Sequence, residues 1–563
     1  MDKENASTDH GGFIPRIIAF LRSLCYAQVL FVMVCLFIAL HAGGAFAYEP
    51  PIGIPAPLFG IDQTAPADWL KSKSENRYYI DNSHPKASDF FNANGTPGRP
   101  RKTIPNMVFP AGSYVEIHGG PYKEQGIKLR FDCTAAKHCW FRGTPDAKPV
   151  FTGSMHIVNS RYVILEHLDF NGGIGGAMAI SGNTGQHIAI RHSAIRNRFY
   201  VNHTSGISIQ PLRGGNISDV VIYKNRFSEL GNWKTAKDED FHGVTPNLWA
   251  RDATTSLSRV WILENEFSHL SGNGVQVIAG NWKNSYKYLH HIYIGKNIGY
   301  NNRQTAFWSK QASDVIISQN ISYGGRRHGT QPGDGIGFQY GPDNIWIIFN
   351  KIYDCNYGIR QSSTNPTNDH KAYIVGNLIY NIHPEPGFTY TPAHPYRPGV
   401  AIALWHGNMT RYVVDNTIHD VHGGINSVLA GPVHVSGNII SAIDNRDYHM
   451  SMYNSAPMTK VDHMLFTESR GAARFRWRGI DKIGLQMLQT QAGVCSHCMV
   501  DDPGFIDPAN GNFGLSAGSK ARNAGVESTV YDEFYKRYGI DIRRDYNGLK
   551  RPQGKRFTLG AVE

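Results

Sequence analysis

The sequence predicts an all-β protein, a right-handed parallel β-helix in which short strands stack coil upon coil. Two observations lead to this prediction: an asparagine ends a short apolar segment eight times, and a β-branched residue stands three positions before each one. The asparagines are Asn225, Asn265, Asn297, Asn320, Asn350, Asn377, Asn416 and Asn438. Their spacing varies while the local pattern stays constant, so one unit repeats with loops of different length, which is typical of a solenoid.

Each repeat predicts a strand, a tight corner and a return to the core. Alternating β-branched residues before the asparagine suit a strand with one buried face, as in VVIYKN, which ends at Asn225. In most repeats an apolar residue stands two positions after the asparagine. We therefore expect the asparagine itself to adopt the left-handed backbone of the corner, which this residue type tolerates. We also expect the stacked amides to bond to one another.

A second strand follows each corner after a glycine-rich turn, as in NGVQVIA (273–279), TAFWSK (305–310) and DGIGFQY (334–340). The sequence as a whole predicts four regions of the chain. These are a signal peptide at 1–47, an N-terminal cap segment at 48–104, the parallel β-helix at 105–445, and irregular C-terminal coils with a cap at 446–563. A cap is expected because an open coil would expose unpaired strand edges.

The two ends of the chain resemble those of secreted pectate-lyase-like β-helix proteins. YYIDNSHPKASDFFNANGTPGRPRKTIP (78–105) is similar to their first segment. DPGFIDPANGNFGLSAGSKARNAG (502–525) and DYNGLKRPQGKRFTLGAVE (545–563) resemble their C-terminal finish. With the coils, the resemblance covers most of the mature chain. It implies the β-helix fold and leaves the activity open, because this superfamily includes lyases, hydrolases, epimerases and inactive binders.

The N-terminus has the pattern of a secretory signal. Arginines precede the apolar run VLFVMVCLFIAL (29–40), and AGGAFA (42–47) follows it. We expect cleavage after Ala47, with an uncleaved membrane anchor as the alternative. The mature protein is thus expected to be exported, to the periplasm, the extracellular space or the cell surface.

The charge and the cysteines agree with export. The formal net charge of +11 suits an acidic polymer, and in this compartment an anionic polysaccharide fits better than a nucleic acid. The alternative is that the charge only keeps the protein soluble. Cys133 and Cys139 flank a short loop and could pair in an oxidising compartment. Cys495 and Cys498 enclose His497 in CSHC, which could indicate a metal, although a local disulfide or two buried thiols fit a single CxxC better.

The outward positions of the strands that follow the glycine-rich turns predict the functional groove. They carry polar side chains but only one acidic residue, Asp334. Glycoside hydrolysis usually needs two carboxylates, and calcium-dependent elimination needs several. The face therefore favours β-elimination from a uronate. Lys310 is the predicted base, Arg360 would hold the substrate carboxylate bidentately, and Tyr340 would act as the acid.

The segment SKQASDVIISQN (309–320) is similar to the catalytic-lysine strand of alginate and dermatan-sulfate lyases of the chondroitinase B type. In that family an arginine follows on the next coil in an RHG context. Here the matching strand reads GFQYG (337–341), and RHG occurs at 327–329 in the preceding loop. The alternative to a catalytic Lys310 is a solvated lysine at the end of a strand.

Other residues of this face and its loops predict subsites. Aromatic rings can pack against sugars, and arginine can bind carboxylates. The predicted substrate-binding residues are Gln276, Trp308, Arg327, His328, Gln339, Arg397 and His406. The run Asp238-Glu239-Asp240 in the longest insertion could bind calcium, cover the groove, or form a solvated loop.

The sequence thus predicts an exported protein that acts on an acidic, uronate-containing polysaccharide, with cleavage by β-elimination. No nucleic acid is expected as a partner, calcium is the one cofactor considered, and membrane contact is expected only through an uncleaved N-terminal segment. Three alternatives stay open. The first is a C5 epimerase, the second is a glycoside hydrolase if the loop acids fold over the groove, and the third is a non-catalytic glycan-binding or surface-structural β-helix.

Overall fold

The chain is described by a computed structural model. It describes residues 48–90, 92–250, 252–280, 284–326, 333–362, 369–385, 397–444, 447–453, 459–468 and 472–563. Residues 50–563 form one compact unit. Within the described ranges, no helix has the length and apolar character needed to cross a membrane.

Short strands make up most of the described chain. The strands of the N-terminal coils are β1 Arg77–Asp81, β2 Val108–Pro110, β3 Tyr114–His118, β4 Ile127–Asp132, β5 Cys139–Arg142, β6 Val150–Phe151, β7 Met155–Val158, β8 Arg161–Glu166, β9 Asp169–Asn171, β10 Met178–Arg191, β11 Ala194–Arg198, β12 Thr204–Tyr223, β13 Arg226–Leu230 and β14 Phe241–Leu248. The central strands are β15 Ser256–Leu263, β16 Glu266–Leu270, β17 Val275–Ala279, β18 Leu289–Gly295, β19 Ile298–Tyr300, β20 Thr305–Lys310, β21 Ser313–Ser318, β22 Ile321–Tyr323, β23 Asp334–Gln339, β24 Asp343–Ile348, β25 Lys351–Cys355, β26 Tyr357–Gln361, β27 Lys371–Val375 and β28 Leu378–Ile382. The last strands are β29 Val400–Trp405, β30 Thr410–Val414, β31 Thr417–Val421, β32 Gly423–Val428, β33 Val433–Ser436, β34 Ile439–Ile443, β35 Met450–Tyr453, β36 Lys460–Asp462, β37 Leu465–Phe466, β38 Arg474–Trp477, β39 Ile480–Ile483, β40 Met499–Val500, β41 Phe505–Asp507 and β42 Asn512–Leu515. The helices are α1 Leu485–Ala492 and α2 Thr529–Tyr538, with short 3-10 turns at Ser285–Lys287 and Pro508–Asn510.

Each central coil contributes three strands, and the strands of successive coils pair in parallel. One coil consists of β15, β16 and β17, and the next consists of β18, β19 and β20. The paired strands are β15 with β18, β16 with β19 and β17 with β20. We call the resulting stacks the first ladder (strands before the asparagine corner), the second ladder (strands after it) and the third ladder (strands after the glycine-rich turn). The register confirms the predicted parallel β-helix. It also adds a strand to each coil, because the short apolar stretch after the asparagine forms a strand of its own.

Parallel pairing extends beyond the predicted 105–445 at both ends. It begins where β1 pairs with β3, and it continues to β38 in the third ladder and β40 in the second. At the C-terminal end, β39 turns back antiparallel to β38, and the buried Leu488 of α1 packs into the core. This hairpin pairs the last parallel strand of the third ladder, and the helix covers core side chains of the last coil.

The eight corner asparagines form a continuous buried ladder. Asn350 is representative: its Oδ1 accepts hydrogen bonds from the backbone N–H of Asn320 (2.9 Å) and from the Asn320 amide (3.0 Å). Its own amide donates to the Ile317 carbonyl (2.9 Å) and to Oδ1 of Asn377 (3.0 Å). The same bonds join every consecutive pair from Asn225 to Asn438. The predicted bonding between stacked amides is therefore confirmed.

The left-handed backbone conformation was predicted at each ladder asparagine, and this prediction is wrong because the structure places it one residue earlier. The left-handed conformation lies at the residue before each asparagine, with φ of 51° at Lys224, 54° at Gln319 and 65° at Gly376. None of the eight asparagines has a positive φ. The preceding residue makes the turn, and this leaves both the backbone N–H and the side chain of the asparagine facing the next coil. The asparagine is required for its amide rather than for its tolerance of a strained backbone.

The segment after residue 50 runs along the first ladder as a strap (residues 51–66). Trp261 donates its indole N–H to the Pro55 carbonyl at 2.8 Å. Arg191 donates to three carbonyls within residues 60–63 at 2.7–3.0 Å. The strap therefore satisfies polar groups on the outward side of the first ladder.

Helix α2 continues this cover along the same ladder. Glu533 accepts hydrogen bonds from Lys371 (3.0 Å) and from Tyr373 (2.6 Å). The ring of Phe534 packs edge-on against Trp346 at 4.7 Å. The strap and α2 contact the first ladder or its corner. Within the described residues, these two segments therefore do not cover the outward side of the third ladder.

The structure contains two disulfides, Cys133–Cys139 and Cys495–Cys498. The first pairing was predicted as possible in an oxidising compartment, and the second decides for the local disulfide among the alternatives left open for CSHC. Disulfides persist in oxidising compartments, which agrees with export.

Replacing Asn350 with alanine is expected to lower the free energy of unfolding by about 3 kcal/mol, because it leaves buried donors of Asn320 unpaired at roughly 1–3 kcal/mol each. Asn547→Ala is the control, since Asn547 is exposed in a turn and does not belong to the ladder. Denaturant unfolding followed by circular dichroism measures both variants. Equal stability of the two would contradict the role given to the ladder.

Candidate functional site

The third ladder displays alternate side chains outward in registered rows. Gln276 on β17 lies beside Trp308 on β20, and Trp308 lies beside Gly337 on β23, which pairs with Arg360 on β26. Two positions further along the same strands, Lys310 pairs with Gln339. The two-residue period of a strand therefore places residues that are distant in sequence on one surface.

A cavity of about 440 Å³ opens on this surface. We call it the central cleft. It is lined by Asp238, Asp240, Asn273, Gln276, Gln304, Thr305, Trp308, Lys310, Gln339, Arg360 and Ser362. The structure thus brings together five of the residues predicted from the sequence: Gln276, Trp308, Lys310, Gln339 and Arg360.

The other predicted residues are placed differently. The ring centre of Tyr340 lies 6.0 Å from Lys310 Nζ, but Tyr340 is not one of the residues that line the cleft. His406 follows the end of β29, and its carbonyl accepts a hydrogen bond from the Gln361 side chain. Arg397 is 3% exposed and forms an ion pair with Asp447, so the structure does not bring it to the cleft. Arg327 and His328 lie outside the described residues.

Lys310 is the titratable group that distinguishes the central cleft. Its side chain is half-buried, and its ammonium makes no hydrogen bond or ion pair with a described residue. Burial lowers the pKa of Lys310, and the charges of Asp240 and Asp238 offset part of that effect. A lysine in these surroundings releases its proton at a lower pH than an exposed one and can then act as a base.

Arg360 is bound by a carboxylate of its own chain, which corrects its predicted role. Its Nε and Nη2 donate to the two oxygens of Asp334 at 2.8 and 2.6 Å. The guanidinium lies 5.3–5.6 Å from the ring centres of Trp308, Tyr357 and Trp405. Because the bidentate edge of Arg360 is occupied, it cannot hold a substrate carboxylate with that edge.

Trp308 lies over Gly337. A Cβ atom on Gly337 would come within 2.2 Å of the Trp308 ring, so only glycine allows this close approach. Trp308 is 5% exposed because it packs against Arg360. Trp308 therefore contributes to the cleft by packing against Arg360 of the Arg360–Asp334 pair and by forming part of the cleft surface.

The cleft contains loop carboxylates that the strand pattern did not place there. Asp238 and Asp240 come from the insertion before β14. Asp240 accepts hydrogen bonds from Arg303 and Gln304, and burial still raises the pKa of Asp240. The strands contribute the one acidic residue that the sequence predicted, Asp334, and the alternative in which loop acids fold over the groove is the arrangement found here. The buried guanidinium of Arg303 pairs with Asp240 and lies 3.9 Å from Asp238, so two carboxylates of the run considered for calcium already face a cation.

A buried network behind the cleft fixes Gln276, and the sequence analysis gave its histidine no role of its own. Nδ1 of His242 accepts the backbone N–H of Asn273 at 2.9 Å, and Nε2 of His242 lies 3.1 Å from Nε2 of Gln276. The side-chain amides of Asn273 and Gln276 bond at 2.7 Å. Burial lowers the pKa of His242 to about 3, so this histidine is neutral. Its position two residues after Asp240, the end of the acidic run, was the available signal.

A larger cavity of about 680 Å³ lies at the corner between the first and second ladders. It is basic, but its cations have partners: Arg196 binds Asp169 at 2.8 Å, and Lys224 lies 3.4 Å from Glu264. No residue predicted from the sequence lines it. The smaller central cleft is the stronger candidate, because it combines polar side chains with a lysine that forms no ion pair with a described residue.

No protein family model matches the chain, and no curated protein matches it. Several solved structures do. A GH136 lacto-N-biosidase from Eubacterium ramulus shares 11% identity, covers 69% of this chain and 67% of that chain, and gives a TM-score of 0.39. The PL6 family alginate lyase AlyGC shares 13% identity over 69% of this chain and 54% of that chain, with a TM-score of 0.34. The pectate lyase Pel9A shares 11% identity over 89% of this chain and 100% of that chain, with a TM-score of 0.29.

These likenesses concern the fold, and nothing about activity follows from them at this identity and TM-score. The strand register establishes the parallel β-helix without the neighbours.

Lys310→Met is expected to stabilise the protein by roughly 1 kcal/mol at pH 7, because it removes a half-buried ammonium that forms no ion pair within the described ranges. The lowered pKa means that the folded state releases this proton before the unfolded chain does, whose lysines titrate near pH 10.4. The advantage of the variant should therefore shrink as the pH rises through that window. Thermal unfolding of both proteins from pH 7 to 10.5 measures it, and a variant that is less stable at pH 7 would contradict the account.

Proposed function

We propose that the protein binds an acidic polysaccharide along the uncovered third ladder and cleaves it by β-elimination in the central cleft. The observation that carries this proposal is Lys310, a half-buried ammonium on the uncovered face, without an ion pair to a described residue and with a pKa that burial lowers. Polar amides surround it, as substrate orientation requires.

The reaction needs one base and one acid. The neutral amine of Lys310 takes the proton from C5 of a uronate ring. The electron pair of that C–H bond forms the C4=C5 double bond, and the bond from C4 to the linking oxygen breaks. The leaving oxygen takes up a proton, so the products are an unsaturated uronate and an ordinary sugar hydroxyl.

The substrate carboxylate must be stabilised while negative charge develops at C5. The amides of Gln276 and Gln339 line the cleft together with Lys310 and can donate N–H groups. Asp334 uses two of the five N–H donors of Arg360. Arg360 can therefore contribute single hydrogen bonds rather than the bidentate clamp first expected.

Two residues compete for the role of proton donor. Tyr340 is the donor predicted from the sequence, and its ring lies 6.0 Å from Lys310 Nζ. Asp240 lies in the cleft, and burial raises its pKa, so it keeps a proton to a higher pH than an ordinary aspartate. The variants Tyr340→Phe and Asp240→Asn separate them, because only loss of the true donor should lower turnover far more than binding.

The registered rows suit an extended ligand. Neighbouring coils of a parallel β-helix lie about 4.8 Å apart. The four coils that carry Gln276, Trp308, Gly337 and Arg360 therefore span roughly 15 Å along the axis. This is the length of several sugar rings.

The mature chain from Tyr48 should produce unsaturated uronate from one member of a panel of acidic polysaccharides. Ultraviolet absorbance follows the double bond, and size-exclusion chromatography follows the chain length of the polymer. If absorbance and chain length stay constant while an affinity gel of one polymer retains the protein, a non-catalytic glycan-binding function replaces the proposal. Inversion at C5 without shortening would indicate an epimerase.

Lys310→Ala is expected to lower turnover at least 1,000-fold while polymer binding changes only a few-fold, because a general base contributes about 10²–10⁴ in rate. Lys351→Ala is the matched control, since Lys351 is a half-buried lysine on the second ladder, beside Tyr353 and Tyr380. Turnover of the wild type should rise with pH until Lys310 is deprotonated. Full activity of Lys310→Ala would exclude Lys310 as the base.

A glycoside hydrolase is the second candidate, and the placement of Asp238 and Asp240 in the cleft favours it. The product distinguishes the two reactions, because hydrolysis yields new reducing ends without the double bond. New reducing ends that disappear in Asp240→Asn and persist in Lys310→Ala would assign hydrolysis and overturn the elimination mechanism.

A further inference from the structure

The last coil carries a cluster of one carboxylate and two imidazoles, far from the central cleft in the chain. Asp462 ends β36, His463 follows it, and His497 comes from the loop closed by the Cys495–Cys498 disulfide. The three ligand atoms that these side chains offer all lie within 4.8 Å of one another.

The local fold explains why the three side chains meet. His463 has φ of 51°, the left-handed conformation found at the corner of the other coils. This conformation ends the alternation of the strand, and Nδ1 of His463 lies 3.5 Å from Oδ2 of Asp462. The disulfide bridges residues only three apart, so it holds His497 in a short loop beside the same coil.

Both imidazoles face the same carboxylate oxygen. Nδ1 of His497 lies 2.8 Å from Oδ2 of Asp462, and the two imidazole rings stack at 4.7 Å with 20° between their planes. A tetrahedral metal bound at about 2.0–2.2 Å separates neighbouring ligand atoms by roughly 3.3 Å. The two distances to Asp462, 2.8 and 3.5 Å, bracket this value, so a small movement of the rings would admit a metal ion.

Further hydrogen bonds orient the carboxylate. Its Oδ1 accepts the backbone N–H of His497 at 2.7 Å, and its Oδ2 accepts the hydroxyl of Ser496 at 3.2 Å. Outer bonds of this kind hold ligands in place at metal sites.

We propose that Asp462, His463 and His497 form a binding site for a divalent transition metal, with zinc as the best match. Two imidazole nitrogens and one carboxylate oxygen are ligands that Zn²⁺ prefers, whereas Ca²⁺ prefers oxygen alone. His497 is 65% exposed, so metal can enter from solvent and water can complete the coordination. A metal here ties the disulfide loop to the last coil, which is a structural role independent of catalysis.

The test is a zinc titration of the full chain, prepared without a polyhistidine tag and treated with a chelator, in competition with a chromophoric zinc indicator. One zinc ion per chain is expected. His463→Ala and His497→Ala should each weaken binding at least tenfold, and zinc should raise the unfolding temperature of the wild type alone. The matched control is His383→Ala, which removes a single imidazole 3.3 Å from the carboxylate of Asp420 and should leave zinc affinity unchanged.

The cysteines require a separate control, because reduced cysteines also bind zinc. Cys495→Ser/Cys498→Ser removes the thiols and the bridge together, and it should weaken zinc binding by loosening His497. Zinc binding that survives in a His463→Ala/His497→Ala double variant at wild-type strength would overturn the proposal. So would the absence of a zinc complex in the oxidised wild type.

Discussion

The asparagine ladder is the interaction on which the rest of the structure depends. Each amide joins its coil to the next through buried hydrogen bonds to a backbone N–H and a side chain, and so fixes the register of successive coils. The pairing register of a strand determines which side chains face outward, because a shift of one residue turns every outward side chain inward. The register therefore also determines which residues can form a surface site. Lys310 and Gln339 meet in one cleft only because the corners at Asn320 and Asn350 hold their coils in step.

The sequence predicted what strand periodicity and repetition control. The solenoid, the outward positions of Gln276, Lys310 and Gln339, and the possible Cys133–Cys139 disulfide follow from local patterns. The partner of Arg360 did not follow, because Asp334 reaches it only after two coils have stacked. The entry of Asp240 into the cleft also did not follow, since an insertion can fold in many ways and its position depends on Arg303, a residue more than sixty positions away.

The strap and α2 cover the first ladder of the solenoid, whereas the candidate site lies on the third ladder, which these segments do not cover. The strap and α2 satisfy polar groups along the first ladder, as Trp261 and Glu533 illustrate. On the third ladder, Arg360 is paired and Gln276 is fixed by a buried network, while Lys310 lacks an ion pair with the described side chains. A half-buried ammonium of this kind lowers the stability of the folded protein. A site that retains such a destabilising group is a candidate for a catalytic site.

The most direct measurement is the pH dependence of reductive methylation at each lysine, read by mass spectrometry on the folded protein. Only the neutral amine reacts, so the profile of each site reports its pKa. The account predicts that Lys310 becomes reactive at a lower pH than Lys351 and the exposed lysines, and that this difference disappears on unfolding. A profile for Lys310 that coincides with those of the exposed lysines would contradict the assignment of the central cleft as the catalytic site.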